Sequence, residues 1–382
     1  MKYLLLMLLS SVILFSCKQG KQKRDKKDKE KKEYQQIKKL SFSPEQYVVY
    51  KTEKPLVIDG VADEKAWEKV PFTNKFVDIE GDIKPAPRYD TRAKMLWDDK
   101  YLYVYAELDE PHIWANLRQR DTIIFYDNDF EVFIDPDGNT HGYYEYEVNA
   151  FNTVWDLMLI KPYRDGGPPI NNWDINGLKS AVKIYGTINN PKDKDDKWTV
   201  EIAFPFSVLN EFNRGPRPAD KVQWRIDFSR VEWDTKIVNG KYVKETDPKT
   251  GKPIPEHNWV WSPQGVINMH QPETWGFIQF SDKQPGTGNV SFEYNKDEDV
   301  KWELMNVYYA EKAFRSSTDR WASKLKQLKH VGLDTKSLKY VKSIQTTKSL
   351  FEARAKRKGS DFVWHIDNTS YMWKTDSKKA RN

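Results

Sequence analysis

The chain is short of the residues that build cross-links and metal cages. Cysteine occurs once, at Cys17, so no disulfide can form within one molecule and stability must come from packing. There are six histidines and no cysteine pair, and His257 and His270 are not in ligand spacing. No zinc signature therefore exists, and both histidines read as surface or satisfied core residues. Long apolar runs are also missing. The only notable one, residues 4–15, is too short to span a bilayer as a mature helix. No internal repeat is evident. No helix-turn-helix or base-stacking pattern accompanies the basic residues, which speaks against a nucleic-acid partner.

The short apolar run follows Lys2 in MKYLLLMLLSSVILFSC and reads as a secretion signal over residues 1–17. Leu14-Phe15-Ser16-Cys17 resembles a bacterial lipobox, in which Cys17 would be lipidated and become the mature N-terminus; a chance cysteine is the alternative. The lipobox implies a membrane attachment through an N-terminal lipid anchor at the bacterial cell envelope, with the outer membrane as the expected site. Residues 18–40 hold eleven Lys/Arg and four Asp/Glu, a net +7. Without that stretch and Lys2, the chain's +6 becomes −2, so the high pI belongs to this segment alone. Such a composition predicts a solvated, disordered tether over residues 18–46.

What the chain has in quantity is aromatic: 15 Trp, 20 Tyr and 18 Phe. From Tyr47 the pattern alternates with period two between turn signals, as in YLYVYAEL, FEVFID, YYEYEVNA and WTVEIAF. About ten such runs predict an all-β domain over residues 47–282, a two-sheet antiparallel β-sandwich of jelly-roll type. Residues 283–382 change composition and predict a C-terminal helical and hairpin extension. Helical spacing covers residues 300–313 and 318–331, with Gly332 as a stop, and residues 344–357 and 362–373 form a hairpin about Lys358-Gly359-Ser360.

The most informative stretch is residues 125–167, FYDNDFEVFIDPDGNTHGYYEYEVNAFNTVWDLMLIKPYRDGG. Strand alternation puts Asp129, Glu131 and Asp135 on one face of FEVFID, and Glu145, Glu147 and Asn149 on one face of YYEYEVNA. Antiparallel pairing then brings Glu131 close to Glu145 or Glu147, and like charges opposite each other are destabilising. Three readings follow. The face is neutralised by basic neighbours such as Arg92, Lys94 or Arg225; or hard oxygen donors hold a structural Ca²⁺, with Asp127, Asp129, Asp135 and Asp137 as candidates; or the glutamates form a glycosidase pair. An EF-hand is excluded, because Tyr146 stands where the loop needs its twelfth-position Glu.

DNDFEVFIDPDG and YEYEVNA, with the opening IDGVADEKAW and the closing PETWGFIQF, resemble the carbohydrate-binding module family 9-like proteins over some 235 residues. The resemblance implies a β-sandwich that binds sugar and can carry calcium. The family's two clamping tryptophans correspond to Phe125-Tyr126 and to Met269 beside His270, and its sugar-contacting arginine to Glu147, so the clamp is altered. Loop residues offer substitutes. Trp173 lies among Asn, Asp and Gly, and Tyr163 and Arg164 belong to PYRDGG. Trp155 and Trp261 sit in apolar strands and read as core; Trp114 and Trp259 are further loop candidates. The expected sugar site is thus Phe125, Tyr126, Tyr163, Arg164, Trp173, Met269 and His270. Related sandwiches bind haem, but adjacent Met269 and His270 cannot supply its axial ligands, and no haem is expected.

These features predict noncatalytic carbohydrate binding at the envelope, in support of polysaccharide capture or degradation, with a poly- or oligosaccharide as ligand. A glycoside hydrolase or xylanase-associated activity is one alternative. An envelope protein that binds protein partners and no sugar is the other.

Overall fold

The computed structural model describes residue 25, residues 27–211 and residues 217–377. The signal segment and Cys17 lie outside the described residues. The chain divides into two compact units, Phe42–Tyr294 and the described residues of Met1–Ser41 and Asn295–Asn382. Among the described residues no helix is long and apolar enough to cross a membrane.

The strands of the larger unit are β1 (Gln46–Lys51), β2 (Val77–Asp78), β3 (Thr91–Trp97), β4 (Tyr101–Asp109), β5 (Asp129–Asp135), β6 (Tyr143–Asn149), β7 (Val154–Leu159), β8 (Pro169–Ile170), β9 (Lys179–Tyr185), β10 (Lys197–Pro205), β11 (Gln223–Glu232), β12 (Thr235–Val238), β13 (Lys241–Lys244), β14 (His257–Val260) and β15 (Gly276–Ser281). All but β12 and β13 join one 13-stranded sheet, whose main path runs β8-β7-β6-β5-β11-β15-β1-β3-β4-β10-β9. The sheet is mixed: β1 runs parallel to both β15 and β3, and the other pairs are antiparallel. The expected separate antiparallel sheets are therefore one continuous ladder, because β1 hydrogen-bonds on both edges.

The sheet curls around one core. Leu102, Val104 and Ala106 of β4 and Ile202 of β10 share it with Phe130, Val132 and Ile134 of β5, Tyr144 and Tyr146 of β6, and Phe228 of β11. These are alternate residues of their strands, as a period-two pattern requires. Aromatic contacts join the two halves: the Trp97 ring lies 5.5 Å from Phe280, and Tyr146 lies 5.4 Å edge-on to Phe204. Tyr103 and Tyr105, on the opposite face of β4, pack with Trp67 of α2 (Lys65–Glu68) in a smaller cluster. There the IDGVADEKAW segment is tied down by Glu201, whose carboxylate accepts from Trp67 Nε1 at 3.0 Å and from the Asp59 and Gly60 amides. A second short helix, α3 (Phe206–Leu209), follows β10.

The smaller unit departs from the sequence reading in three places. Residues 27–37, expected to be part of the tether, form a helix, here called α1. Tyr34 and Ile37, the only aromatic and branched residues of the run, are buried. They share a helical face with Lys27 and Glu30, three or four residues away. Lys27 pairs with Asp319 at 2.7 Å and Glu30 accepts from Ser316, so the face is docked within the unit. The second difference concerns the expected helix pair. Its first member is the long helix α4 (Asp297–Thr318), with three acids in its first turn, where they favour the helix dipole. Asp319, in a left-handed conformation, ends it. The second member is a seven-residue 3₁₀ helix, Leu325–Val331, which stops at Gly332 as expected. Thirdly, each expected strand of the terminal hairpin is itself a hairpin. β16 (Val341–Thr346), β17 (Phe351–Ala355), β18 (Phe362–Asp367) and β19 (Met372–Asp376) form a four-stranded antiparallel sheet.

Gly276 opens β15 against the ring of Trp261, and a Cβ there would come within 2.5 Å of a ring carbon. Both groups are buried with no room to shift, so Gly276→Ala is expected to destabilise the protein by about 1–3 kcal/mol. Urea unfolding with an unchanged slope checks this.

Candidate functional site

The face of β5 and β6 turned away from the main core carries the acidic row. In the ladder Glu131 stands directly opposite Glu147, Asp129 opposite Asn149, and Glu145 opposite Phe133. On the other side of β5, Ser229 of β11 faces Glu131. Oxygens of Asp129, Glu131 and Glu147 all lie within 4.8 Å of one another, and all three residues are buried. Glu145, beside them, is buried too. Little compensates them. The Val231 amide donates to Asp129 at 3.3 Å and the Phe125 amide to Glu147 at 3.1 Å. Of the expected basic partners, Arg92 and Lys94 are engaged elsewhere, and Arg225 stands opposite Asp135 at the end of β5. Arg92 pairs with Glu107, Lys94 donates to the Trp67 carbonyl, and Arg225 donates to the Trp275 carbonyl and stacks on Phe277 at 3.8 Å.

Burial is the main cause of the row's electrostatics. It pushes Glu131 up to about 7, with Ser229 pulling slightly the other way. Burial together with mutual repulsion raises Asp129, Glu145 and Glu147 well above the ordinary carboxylate range. The nearby cation is Lys244, which the strand-pattern reading missed. It ends β13, and its Nζ sits 3.3 Å from the centre of the Trp233 ring. Burial lowers it to about 8, against the attraction of Asp127, Glu256 and Asp129. The signal for its hairpin was in the sequence: Asn239-Gly240, both with positive φ, is a two-residue turn of the kind that favours such hairpins.

Aromatic side chains flank the row. Phe125 is half-buried and Tyr126 is 51% exposed, with ring centres 5.1 Å apart. The Phe125 carbonyl accepts from Trp233 Nε1 at 2.8 Å, so Trp233 belongs to the same group. Phe125 and Met269 both pack on the apolar cluster of Phe133, Tyr143, Trp155 and Trp275. His270 stands 5.7 Å from Phe133, and its Nδ1 is 3.0 Å from the Tyr143 hydroxyl. Tyr163, 41% exposed, lies edge-on to His270 at 4.3 Å and is raised by burial and by Glu145 and Glu147. Arg164 pairs with Glu273 at 2.9 Å and donates to the His270 carbonyl. Desolvation and Arg164 push the His270 imidazole down to about 3, so it stays neutral.

Six of the seven expected sugar-site residues are thus connected on one side of the sheet. Trp173 is not among them. It stacks on Tyr144 at 4.9 Å, against the main core on the opposite face of β6, and donates to Glu211. The Gly-Gly-Pro-Pro loop returns the chain to that face. Trp114, Trp155, Trp259 and Trp261 are all buried. The four aspartates expected to share a metal do not converge. Asp127 accepts from the Asn116 and Leu117 amides and from Asn149, which pins the preceding loop. Asp135 accepts from the Gly138 and Thr140 amides, and Asp137 from Asn139, in the turn at the other end of β5. Only Asp129 joins the acidic row.

A family model for the carbohydrate family 9 binding domain-like proteins matches residues 58–282, more than half of the chain, and the protein belongs to that family. The exoglucanase XynX of Acetivibrio thermocellus is 32% identical over 159 residues, which is 41% of this chain and 12% of the relative. Endo-1,4-beta-xylanase C of Paenibacillus barcinonensis is 32% identical over 166 residues, 40% of this chain and 13% of the relative. The chain therefore spans about an eighth of the length of these curated relatives. Among solved structures, a family 9 module from Caldicellulosiruptor kristjanssonii in complex with cellotriose is 17% identical, with a TM-score of 0.40 over 64% of this chain and 99% of that one. A putative carbohydrate-binding protein of Bacteroides uniformis is 15% identical, with a TM-score of 0.44 over 63% of this chain and all of that one.

The raised carboxyls fix the sign of a pH effect. They are protonated in the folded protein and ionised when unfolded, so folding takes up protons between the ordinary value near 4.5 and about 7. In a chelating buffer, Tm is expected to fall by several degrees as pH rises through that window, and Glu147→Gln to flatten the slope. A calorimetric pH series checks both.

Proposed function

We propose that this protein is a noncatalytic carbohydrate-binding protein that captures poly- or oligosaccharide at the bacterial envelope. The observation that carries the reading is the pair of exposed rings, Tyr126 and Tyr163, set about the polar row of β5 and β6 within the family-matched stretch. A pyranose offers a C–H face to aromatic rings and hydroxyls to hydrogen-bonding groups, and each exposed tyrosine supplies a ring and a phenolic hydroxyl. The curled sheet is read accordingly as the two-layer sandwich of such modules. The solved relative holds cellotriose, and the curated relatives are an exoglucanase and xylanases, so β-linked plant oligosaccharides are the first ligands to try. Burial speaks against the hydrolase alternative: Glu131 and Glu147 are 5% and 1% exposed, which leaves no room for a sugar ring between them. The lipobox extends the reading to a lipid anchor at Cys17 and an outer-membrane location.

Tyr126→Ala and Tyr163→Ala are each expected to weaken oligosaccharide binding about tenfold, ~1.4 kcal/mol. Titration calorimetry with cello- and xylo-oligosaccharides measures this, and an unmutated protein that retains no glycan would overturn the proposal. Cys17→Ala is expected to move the protein from the membrane fraction to the soluble fraction of cells, read by fractionation and fatty-acid labelling.

A further inference from the structure

We infer that the four-stranded sheet of the smaller unit carries a second saccharide-binding surface, built on Tyr371 and Trp373. The surface lies outside residues 58–282, the stretch that the family model covers, and shares with the larger unit's proposed site only the class of ligand. Alternation gives this sheet two unlike faces. One packs on α4. Phe351, Ala353, Ile366 and Met372 are buried there, the Phe351 ring lies 6.5 Å from Tyr308, and Trp364 Nε1 donates to Asp297 at 3.1 Å. That face supplies the sheet's core. On the other face Arg354 stands opposite His365, which stands opposite Trp373, and Gln345 stands opposite Glu352. Its rings are aligned. Trp373 is centred 5.0 Å from His365 with the planes 11° apart, and 5.7 Å from Tyr371 with the planes 19° apart. Tyr371 is 38% exposed and Trp373 is half-buried.

A hydrogen-bond network holds these rings in place. His365 is buried and tied at both nitrogens, with Nδ1 2.8 Å from Glu352 Oε1 and Nε2 2.8 Å from Thr375 Oγ1. Glu352 also accepts from Arg354 Nε at 2.6 Å, and Arg354 donates to Gln345 at 3.2 Å. Asp367 accepts from the Tyr371 amide at 3.2 Å, which fixes the backbone that carries the outer ring. Rings placed before a ligand arrives lose little freedom when it binds. The same arrangement selects the ligand. A protein partner needs a desolvated apolar centre. Here a single half-buried aliphatic residue, Val363, shares the face with the rings, and its other groups are polar. Glu352 and Arg354 cancel each other's charge within the face, which favours a neutral ligand over an ionic one. A saccharide matches on both counts: its C–H face takes a ring and its hydroxyls take the polar groups. Arg354 uses two of its five N–H donors in the network, which leaves others for those hydroxyls.

The test uses the full chain, titrated by calorimetry with a panel of neutral plant oligosaccharides, cello- and xylo-oligosaccharides among them. Tyr126→Ala and Tyr163→Ala are first combined to weaken the larger unit's site. Binding is expected to persist in that variant and to fall about tenfold when Tyr371→Ala or Trp373→Ala is added. Phe362→Ala removes a ring that is 39% exposed on the opposite face, and it is expected to leave binding unchanged. Trp373→Phe keeps a ring and is expected to retain binding, which separates loss of the surface from loss of the fold; an unchanged Tm is the second check. If the unmutated protein binds glycan and the combined Tyr126 and Tyr163 variant binds none, this inference fails and the larger unit's site stands. If the remaining binding survives both Tyr371→Ala and Trp373→Ala, the inference fails as well. Binding that ignores the Tyr126 and Tyr163 changes and is lost with Tyr371→Ala would support this surface and overturn the other. A protein retained by the unmutated chain but not by Tyr371→Ala, with no glycan bound, would overturn the saccharide assignment.

Discussion

Strand β1 is the element on which the architecture of the larger unit depends. It is six residues long, yet it hydrogen-bonds along both edges, parallel to β15 on one side and β3 on the other. Without it, the strands around β4 and β10 and those around β5 and β11 would be two sheets held by side chains alone. With it, the sheet is continuous and must curl to bury its inner faces, which is why rings from both halves meet across one core. Parallel partners brought together from opposite ends of the unit are contacts of large sequence separation, and they cost loop entropy before they return any packing.

Closing the core on one side leaves β5 and β6 with a second face to manage. Elsewhere in the sheet the outer face is apolar, as at Tyr103 and Tyr105, or carries buried polar groups with several donors, as at Glu201 and Asp227. Here it is polar and covered. The loop pinned by Asp127, the hairpin carrying Lys244 and the segment around Met269 and His270 lie about glutamates that would otherwise be solvated. A protein held together by packing gains nothing in stability from such an arrangement. Buried charge retained against its cost is a common mark of a site.

Much of this was legible from strand alternation. Period two placed Phe130, Val132 and Ile134 inward and Glu131 outward, and a short turn forced the antiparallel register that sets Glu131 against Glu147. The altered clamp positions, Phe125-Tyr126 and Met269-His270, were legible as places but not as a geometry, because their contacts run through Phe133, Tyr143 and Trp275, residues far apart in the chain. Trp173 was misplaced because polar neighbours and a Gly-Pro run say that a loop exists, not which face of the sheet it returns to. The β12–β13 hairpin was overlooked although Asn239-Gly240 announces it. In residues 27–37 composition masked periodicity: two apolar side chains on one helical face were enough, once a partner surface was present, to order a segment that reads as pure charge.

That helix has a consequence for reach. Nine residues separate Cys17 from residue 27, and a chain of that length spans at most about 35 Å when fully drawn out. Had every residue up to β1 been slack, the span would have been about 100 Å. Under the lipid anchor proposed at Cys17, folding residues 27–37 into the small unit would exchange a long radius of search for a short standoff from the membrane.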